Sequence, residues 1–311
     1  MREPRNDHAT LTAAPAAGAS SDATTAPAAP AAATAPAAAA APAAAPDIRQ
    51  LKTGLRSMWM TGDYDRFSRF MDRSAREFYE RLDVAPGSRL LDVACGGGQL
   101  ALIAAREGAD VTGVDIAANL VARAAARAKA EDLPARFEEG DAEALRFEDG
   151  SFDVVTSLIG AMFAPRPDHV ARELLRVTAP GGTIAMANWT AEGFVGRMFR
   201  TIAAFIAPNG MPSPLLWGHE ERVRERLGAG ASSMRLTRRM YLFDYPFPPE
   251  DVVEFFRLYY GPTHRAFASL DEAAAGRLRR ELVDLWSSAN LGNQEITIVK
   301  AEYLEVVAER A

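Results

Sequence analysis

The sequence has 311 residues, a formal net charge of −6 and one cysteine. Its first 46 residues are mostly Ala, Pro, Thr and Ser, with no aromatic residue. They bury too little apolar surface to offset the entropy of ordering, so we predict a disordered tail. Residues 47–311 are enough for one α/β domain. The arginines are interleaved with acidic residues and form no basic stripe, which argues against nucleic acid as a substrate.

The sequence carries no secretory pattern and no uncharged apolar run of about 20 residues. We therefore expect a cytoplasmic protein without membrane insertion. Cys95 has no partner for an internal disulfide, which fits a reducing compartment.

The first part of the predicted domain, residues 47–88, is predicted to form lead-in helices. Apolar side chains recur there near helical spacing, and Gly62–Asp63 interrupts them, which indicates two helices. The apolar positions are Leu55, Trp59, Phe67, Phe70, Met71 and Phe78.

Residues 89–190 alternate short apolar strands with helices. This alternation predicts βαβ units and a parallel sheet with helices on both faces. We predict helices at residues 99–106 and 117–130, and a third from an N-cap at Asp168 to about residue 178. The predicted strands are residues 89–94, 111–116, 135–139, 152–159 and 183–189.

The remaining residues divide into a helical cap, residues 191–233, and a C-terminal part, residues 234–311. The cap begins with an apolar helical stripe and continues through a Pro-rich stretch into a charged helix from about Glu220. In the C-terminal part we predict a strand at residues 235–246, mostly helix at residues 250–286 and a closing strand at residues 295–307.

The strongest local motif is the segment LLDVACGGGQLA, where the first strand meets glycines and then a helix. Glycines let the backbone approach a ligand closely, and a helix amino terminus favours anionic groups. Gly96-x-Gly98-x-x-Ala101 also fits the dinucleotide pattern, so a nicotinamide-dependent oxidoreductase stays open. Asp92 favours a ligand with an amino group and a sulfonium over one with a pyrophosphate, although a strand-end Asp can also simply bond to the loop backbone.

Two further acidic residues follow predicted strands. Asp115 ends the second strand, where a carboxylate can accept both hydroxyls of a ribose. Asp141 follows the third strand in Gly140-Asp141-Ala142-Glu143 and could accept an adenine amino group, with the Ala142 amide donating to the ring. A Gly-Asp pair is also a common turn, so this motif alone is ambiguous.

Four segments, LLDVACGGG, VTGVDIA, EEGDAEALRFEDGSFDVVTS and LLRVTAPGGTIAMANW, follow one another as in class I methyltransferases that depend on S-adenosylmethionine (SAM). Over roughly residues 89–189 the sequence resembles the group that includes ubiquinone and menaquinone biosynthesis C-methyltransferases. The resemblance implies SAM as the cofactor, a small-molecule acceptor and a Rossmann-like seven-stranded sheet of order 3-2-1-4-5-7-6 with an antiparallel seventh strand. Ala94 departs from the glycine usual in this group.

The resemblance also implies roles for single residues. Asp92, Ala94, Gly96 and Gly98 are expected to line the methionine part of SAM. Asp115 is assigned to the ribose, and its neighbour Ile116 is also expected to bind the cofactor. Asp141 and Ala142 are assigned to the adenine, and Ser157 and Leu158 are expected beside the cofactor. Tyr64 is a candidate to cover SAM and touch its sulfonium by a cation–π contact, although packing among the lead-in helices explains it equally well.

The acceptor site is expected at the carboxyl ends of the strands, where ligands bind in open α/β sheets. Its candidate residues are Met162, Phe163, Trp189, Phe194 and Trp217, and each of them is also compatible with ordinary core packing. His219 and His264 are the candidates for a general base, although a histidine can equally be packing or solvent-facing. We expect no metal site. A protein that binds SAM without catalysing methyl transfer would also satisfy all of these motifs.

Overall fold

The computed structural model describes residues 47–207 and 210–311, so the predicted tail at residues 1–46 lies outside the described residues. The lead-in segment begins with α1 (Ile48–Met60), whose first turn is capped by the Asp47 side chain. Asp63 caps α2 (Tyr64–Ser68), and a 3-10 turn at Arg69–Met71 leads into α3 (Asp72–Glu80). The predicted break at Gly62–Asp63 is therefore present, but the second predicted helix is divided in two.

A seven-stranded sheet forms the centre of the domain, in the order β3-β2-β1-β4-β5-β7-β6. This confirms the predicted order and fold class. The parallel part pairs β1 with β2 and β4, β2 with β3, and β4 with β5; β7 is antiparallel to both β5 and β6. The strands are β1 (Arg89–Val93), β2 (Asp110–Asp115), β3 (Ala135–Glu139), β4 (Phe152–Leu158), β5 (Thr178–Trp189), β6 (Ala231–Tyr245) and β7 (Thr297–Arg310).

Strands β1 and β4 lie in the middle of the sheet and are apolar on both faces, as central parallel strands require. Leu90, Leu91 and Val155 have no exposed surface. Asp92 and Thr156 are paired in the β1–β4 register, so their side chains share one face near the carboxyl ends of the strands. This placement puts a buried carboxylate at the edge where α/β sheets bind ligands.

Helices connect the parallel strands. Asp168 is not the N-cap of the third connecting helix, as predicted. Arg166 is the N-cap of this helix, α6 (Pro167–Val177), Pro167 begins it and Asp168 lies in its first turn. Proline suits that first position because its missing N–H has no partner there in any helix. These connecting helices are α4 (Gln99–Arg106), α5 (Ala118–Ala130) and α6 (Pro167–Val177), with a 3-10 turn at Ala161–Phe163 after β4.

After β5 the chain forms α7 (Phe194–Ala203), a 3-10 turn at Pro214–Gly218, α8 (Glu220–Leu227) and a 3-10 turn at Gly228–Gly230. Helices α9 (Pro249–Tyr259), α10 (Gly261–Ala268) and α11 (Glu272–Ala289) separate β6 from β7. Strand β6 begins before its predicted first residue, and β7 extends beyond its predicted last one. Within the described ranges no helix is long and apolar enough to cross a membrane.

Strand β6 lies at one end of the sheet order, so its outer edge has no strand partner among the described residues. Arg235, Arg238 and Arg239 project from it and pair with acidic residues of β7, Glu302 and Glu305. Glu305 is almost fully buried and also pairs with Arg81, the C-cap of α3, at 2.7 Å. The Arg81–Glu305 pair fastens the lead-in helices to the antiparallel side of the sheet.

Candidate functional site

A cavity of about 1060 Å³, including its open mouth, lies at the carboxyl ends of β1, β2 and β4. The lead-in helices cover it through Lys52, Trp59 and Tyr64, which belong to its lining. Ala94, Gly96, Asp115 and Asp141 all line this one cavity. Motifs that are separate in the sequence thus come together in space.

The loop between β1 and α4 forms the floor of the cavity. Ala94 and Gly96 have positive φ angles of 58° and 54°, which brings the backbone of the loop to the surface of the cavity. Gly98, expected to touch the cofactor, does not line the cavity. A Cβ atom on Gly98 would lie 3.1 Å from the Cβ of Ala124, so this glycine allows α4 and α5 to pack closely.

Asp115 organises the loop as well as facing the cavity. Its two carboxylate oxygens each accept one backbone N–H at 2.8 Å, Oδ2 from Gly96 and Oδ1 from Ala117. Burial raises the pKa of Asp115, and these backbone hydrogen bonds oppose the rise. Each oxygen keeps a second lone pair, so the carboxylate can still accept ligand hydroxyl groups. The adjacent Ile116 also lines the cavity.

Asp92 is the most deeply buried acid of the site, with 2% of its surface exposed. Thr156 donates its hydroxyl to Asp92 Oδ1 at 3.1 Å. Burial raises the pKa of Asp92 to about 7, and the hydrogen bond from Thr156 limits the rise. A cationic ligand group next to Asp92 would favour its ionised form.

The far end of the cavity is formed after β3, where Gly140, Asp141 and Ala142 line the wall. Asp141 Oδ1 accepts the backbone N–H of Glu143 at 2.9 Å. Lys52 of α1 reaches into the same wall and contacts Asp141 Oδ2 at 2.5 Å. No local pattern in the sequence points to Lys52, because its salt-bridge partner Asp141 is 89 positions away.

Tyr64 covers the glycine loop from α2. Its Cε1 atom lies 3.5 Å from the position that a Cβ on Gly96 would take. Its ring also contacts Trp59 at a centroid distance of 5.6 Å and Phe67 at 5.4 Å. The two interpretations of Tyr64, cavity cover and helix packing, therefore both describe its position. Burial, together with Asp115, raises the pKa of its phenol, so the hydroxyl stays neutral.

Of the two residues expected beside the cofactor after β4, Leu158 lines the cavity and Ser157 does not. The Ser157 hydroxyl donates to the Val93 carbonyl at 2.8 Å and accepts the Ala161 N–H at 2.9 Å. Ser157 points to the opposite face of the sheet and supports the turn that carries the cavity wall.

The residues expected at the acceptor site, after the fourth strand and around the cap, need correction. Phe163 lines the cavity, whereas Met162, Trp189, Phe194 and Trp217 do not, and each of those four is at most 3% exposed. They fill the interior between the sheet and its helices. Trp189 packs on Tyr241 and Phe243, Phe194 on Trp286, and Trp217 under the Arg226 guanidinium. Apolar stripes have the same appearance in a sequence whether they face core or cavity.

Neither candidate base is at the site. His219 is exposed and precedes α8, and His264 Nδ1 lies 3.0 Å from the Arg257 carbonyl, so neither residue lines the cavity. Cys95 does line it, but burial and the nearby Asp115 and Asp92 raise the pKa of its thiol well above the usual value, which disfavours the nucleophilic thiolate.

The wall that sequence reasoning missed comes from the lead-in helices, from α4 and from β6. Its polar members are satisfied: Gln99 donates to the Ser68 hydroxyl, and the Tyr241 hydroxyl donates to the Met71 carbonyl at 2.9 Å. The wall consists of Ser68, Met71, Ala75, Gln99, Leu100 and Tyr241. No charged side chain belongs to this part of the wall.

The charges of the cavity select the kind of ligand. Among the described lining residues three carboxylates, Asp92, Asp115 and Asp141, face a single ammonium, that of Lys52. This excess of negative charge suits a cofactor with a sulfonium and an ammonium group, and it opposes the pyrophosphate of a dinucleotide. The residues present therefore fit SAM.

Known proteins agree with this result. The family described as "Methyltransferase domain" matches residues 91–186. An uncharacterised protein of Mycobacterium tuberculosis is 37% identical over 260 residues, which cover 82% of this chain and 93% of the relative. The 2-methyl-6-phytyl-1,4-hydroquinone methyltransferase of Synechocystis is 44% identical over 105 residues, 33% of each chain.

A crystal structure of a putative methyltransferase from Bacillus halodurans has the same fold, with a TM-score of 0.51 and 17% identity over 76% of this chain and 97% of that one. Fold and site thus define a SAM-dependent methyltransferase with a Rossmann-like sheet. The chain belongs to the class I SAM-dependent methyltransferases, and SAM is its cofactor. The nicotinamide-dependent alternative is set aside.

Proposed function

We propose that this enzyme transfers the methyl group of SAM to a small acceptor with an apolar or aromatic body, by in-line displacement. The observation that carries this proposal is the set of uncharged residues Ser68, Met71, Ala75 and Tyr241 in the lining of the same cavity. A charged acceptor would find no counter-charge among these four residues, and its burial against them would be costly.

In the proposed arrangement Asp92 binds the amino group of the methionine part, Asp115 the ribose and Asp141 with Ala142 the adenine. When bound, SAM supplies a methyl group that its sulfonium already activates. The protein contributes position: the wall holds the acceptor, and Tyr64 covers the glycine loop. The phenols of Tyr64 and Tyr241 remain protonated because burial raises their pKa values, so neither acts as a base near neutral pH.

No histidine is among the described residues that line the cavity, so we propose an acceptor whose methylation needs no histidine base. A nucleophile that ionises readily, such as a phenol, or a carbon activated by one, needs no strong base from the protein. The Synechocystis relative is named for a hydroquinone substrate, which has this chemistry, and supports the proposal.

The test is incubation of the enzyme with methyl-labelled SAM and a cell extract, followed by separation of small molecules from macromolecules. We expect label in an organic-extractable compound, which would also distinguish catalysis from SAM binding alone. Label found only in RNA or protein would refute the proposal. Asp115→Asn should abolish most of the labelling, whereas Asp110→Asn, at the opposite end of β2 and paired with Arg136 on the surface, should not.

A further inference from the structure

Lys52 binds two acidic residues at the adenine end of the cavity. Its Nζ atom lies 2.5 Å from Asp141 Oδ2 and 2.5 Å from Glu143 Oε2. Only 19% of the Lys52 side chain is exposed, and the Glu143 side chain is fully buried. A lysine in this position gives up much of its hydration, which the two carboxylates replace.

The surrounding contacts hold this arrangement in place. Glu143 accepts the backbone N–H of Arg166 at 2.6 Å and its Nε at 2.7 Å, so its carboxylate is fixed from the α6 side. Asp141 Oδ1 accepts the Glu143 N–H at 2.9 Å. Asp141 is thus held through both oxygens, one by the backbone and one by Lys52. Lys52 and Asp141 both line the cavity.

We propose that Lys52 is a positioning residue for recognition of the adenine amino group, acting by fixing the orientation of the Asp141 carboxylate. The carboxylate that Lys52 holds in this way accepts hydrogen bonds but donates none. The site then favours a purine with an amino group over one with an oxo group at the same position. This inference rests on the proposed placement of the adenine beside Asp141.

The test compares the affinity for S-adenosylhomocysteine with that for S-inosylhomocysteine, which carries an oxo group in place of the amino group, by calorimetry. The wild type should prefer the adenosyl compound. Lys52→Met should reduce this preference about tenfold, the effect of one charge-assisted hydrogen bond. Lys52→Arg should restore most of it. Lys52→Gln, which keeps a polar group, serves if the Met variant does not fold.

Arg56→Gln is the matched control. Arg56 lies one turn further along α1 and pairs with Glu139 at 2.7 Å, with both side chains nearly half exposed. It should leave the preference unchanged. If Lys52→Met and Lys52→Gln weaken both ligands equally and keep the preference, Lys52 merely fastens α1 to the domain and the inference is wrong.

Asp141→Asn separates this inference from the placement on which it rests. Its amide can donate to the oxo group, so we expect the preference to move toward the inosyl compound. If the preference does not move, adenine does not bind beside Asp141, and both the placement and the inference fail. If it moves while the Lys52 variants retain the wild-type preference, only the role of Lys52 is refuted.

Discussion

Ala94 adopts a backbone conformation that most residues avoid. Its φ angle is 58°, and an L-residue with a Cβ atom pays about 1–2 kcal/mol in the left-handed region. Its neighbourhood is also tight, because a Cβ on Gly160 would lie 2.6 Å from the Cβ of Ala94. The departure from the glycine usual in this family therefore stores strain in the loop that forms the floor of the cavity.

Replacing Ala94 with glycine should relieve this strain. We expect Ala94→Gly to stabilise the protein by about 0.5–1 kcal/mol, since the gain exceeds the greater chain entropy of glycine when unfolded. Thermal unfolding measures the effect. Ala104→Gly, inside α4, is the control and should destabilise by about 1 kcal/mol or more. If Ala94→Gly destabilises the protein as much as the control does, Ala94 is not strained.

Asp92 should make cofactor binding depend on pH. Burial raises its pKa from 3.8 to about 7. In the ligand-free protein, protonated Asp92 therefore contributes its full stability to the fold below about pH 4. This contribution is lost as the pH rises to about 7. Binding of the ligand amino group favours the ionised form. Affinity for S-adenosylhomocysteine should therefore increase from pH 6 to pH 8, with proton release on binding.

Calorimetry in two buffers of different ionisation enthalpy measures both effects. Asp92→Asn should bind more weakly at pH 8 and lose the dependence of affinity on pH. The exposed Asp153 is the control, because Arg89 lowers its pKa below the usual value and it is already ionised throughout this range. A wild-type affinity that stays constant from pH 6 to pH 8 would show that Asp92 does not bind the amino group.

At the scale of elements, α2 contributes the ring that covers the glycine loop. Tyr64→Ala should lower the affinity for SAM more than that for S-adenosylhomocysteine, because only SAM carries a sulfonium for a cation–π contact of about 0.5–2 kcal/mol. Tyr64→Phe keeps the ring and should retain the difference. Equilibrium binding of both ligands provides the measurement.

The control for this experiment is Tyr259→Ala. The Tyr259 ring of α9 packs under Arg66 of α2, and the guanidinium carbon lies 4.8 Å from the ring centroid. Tyr259 does not line the cavity. If both alanine variants change the two affinities equally, Tyr64 acts only through packing of α2.

The elements that sequence reasoning placed well are those with local signals. Glycine and acidic residues at strand ends identified Gly96, Asp115 and Asp141 because a strand, a turn and a helix follow one another within a few residues. Lys52 and Tyr241 were missed because their place in the cavity depends on the docking of α1 and β6, far away in the sequence. Trp189 and Trp217 were misplaced because an apolar side chain carries no sign of which space it fills.

At the scale of the whole molecule, removing residues 1–46 should leave the catalytic domain intact. These residues contain no aromatic side chain with which to contribute to a core. The truncated protein should have the melting temperature and the S-adenosylhomocysteine affinity of the full chain. Removal of residues 1–60 is the comparison, since it also deletes α1 and with it Lys52 and Trp59 of the cavity wall. A clear loss of stability on removal of residues 1–46 alone would contradict the expectation.

The 15-residue strand β6 at the end of the sheet has a consequence for behaviour in concentrated solution. An unpaired edge of this length is a template on which a second chain can add strands. Arg235, Arg238 and Arg239 oppose this, because charged side chains along an edge strand disfavour pairing with a second chain. The ion pairs that anchor β6 to β7 hold these side chains beside the edge, where a second copy would have to desolvate them. Strong salt, which weakens these ion pairs, should promote self-association detectable by light scattering.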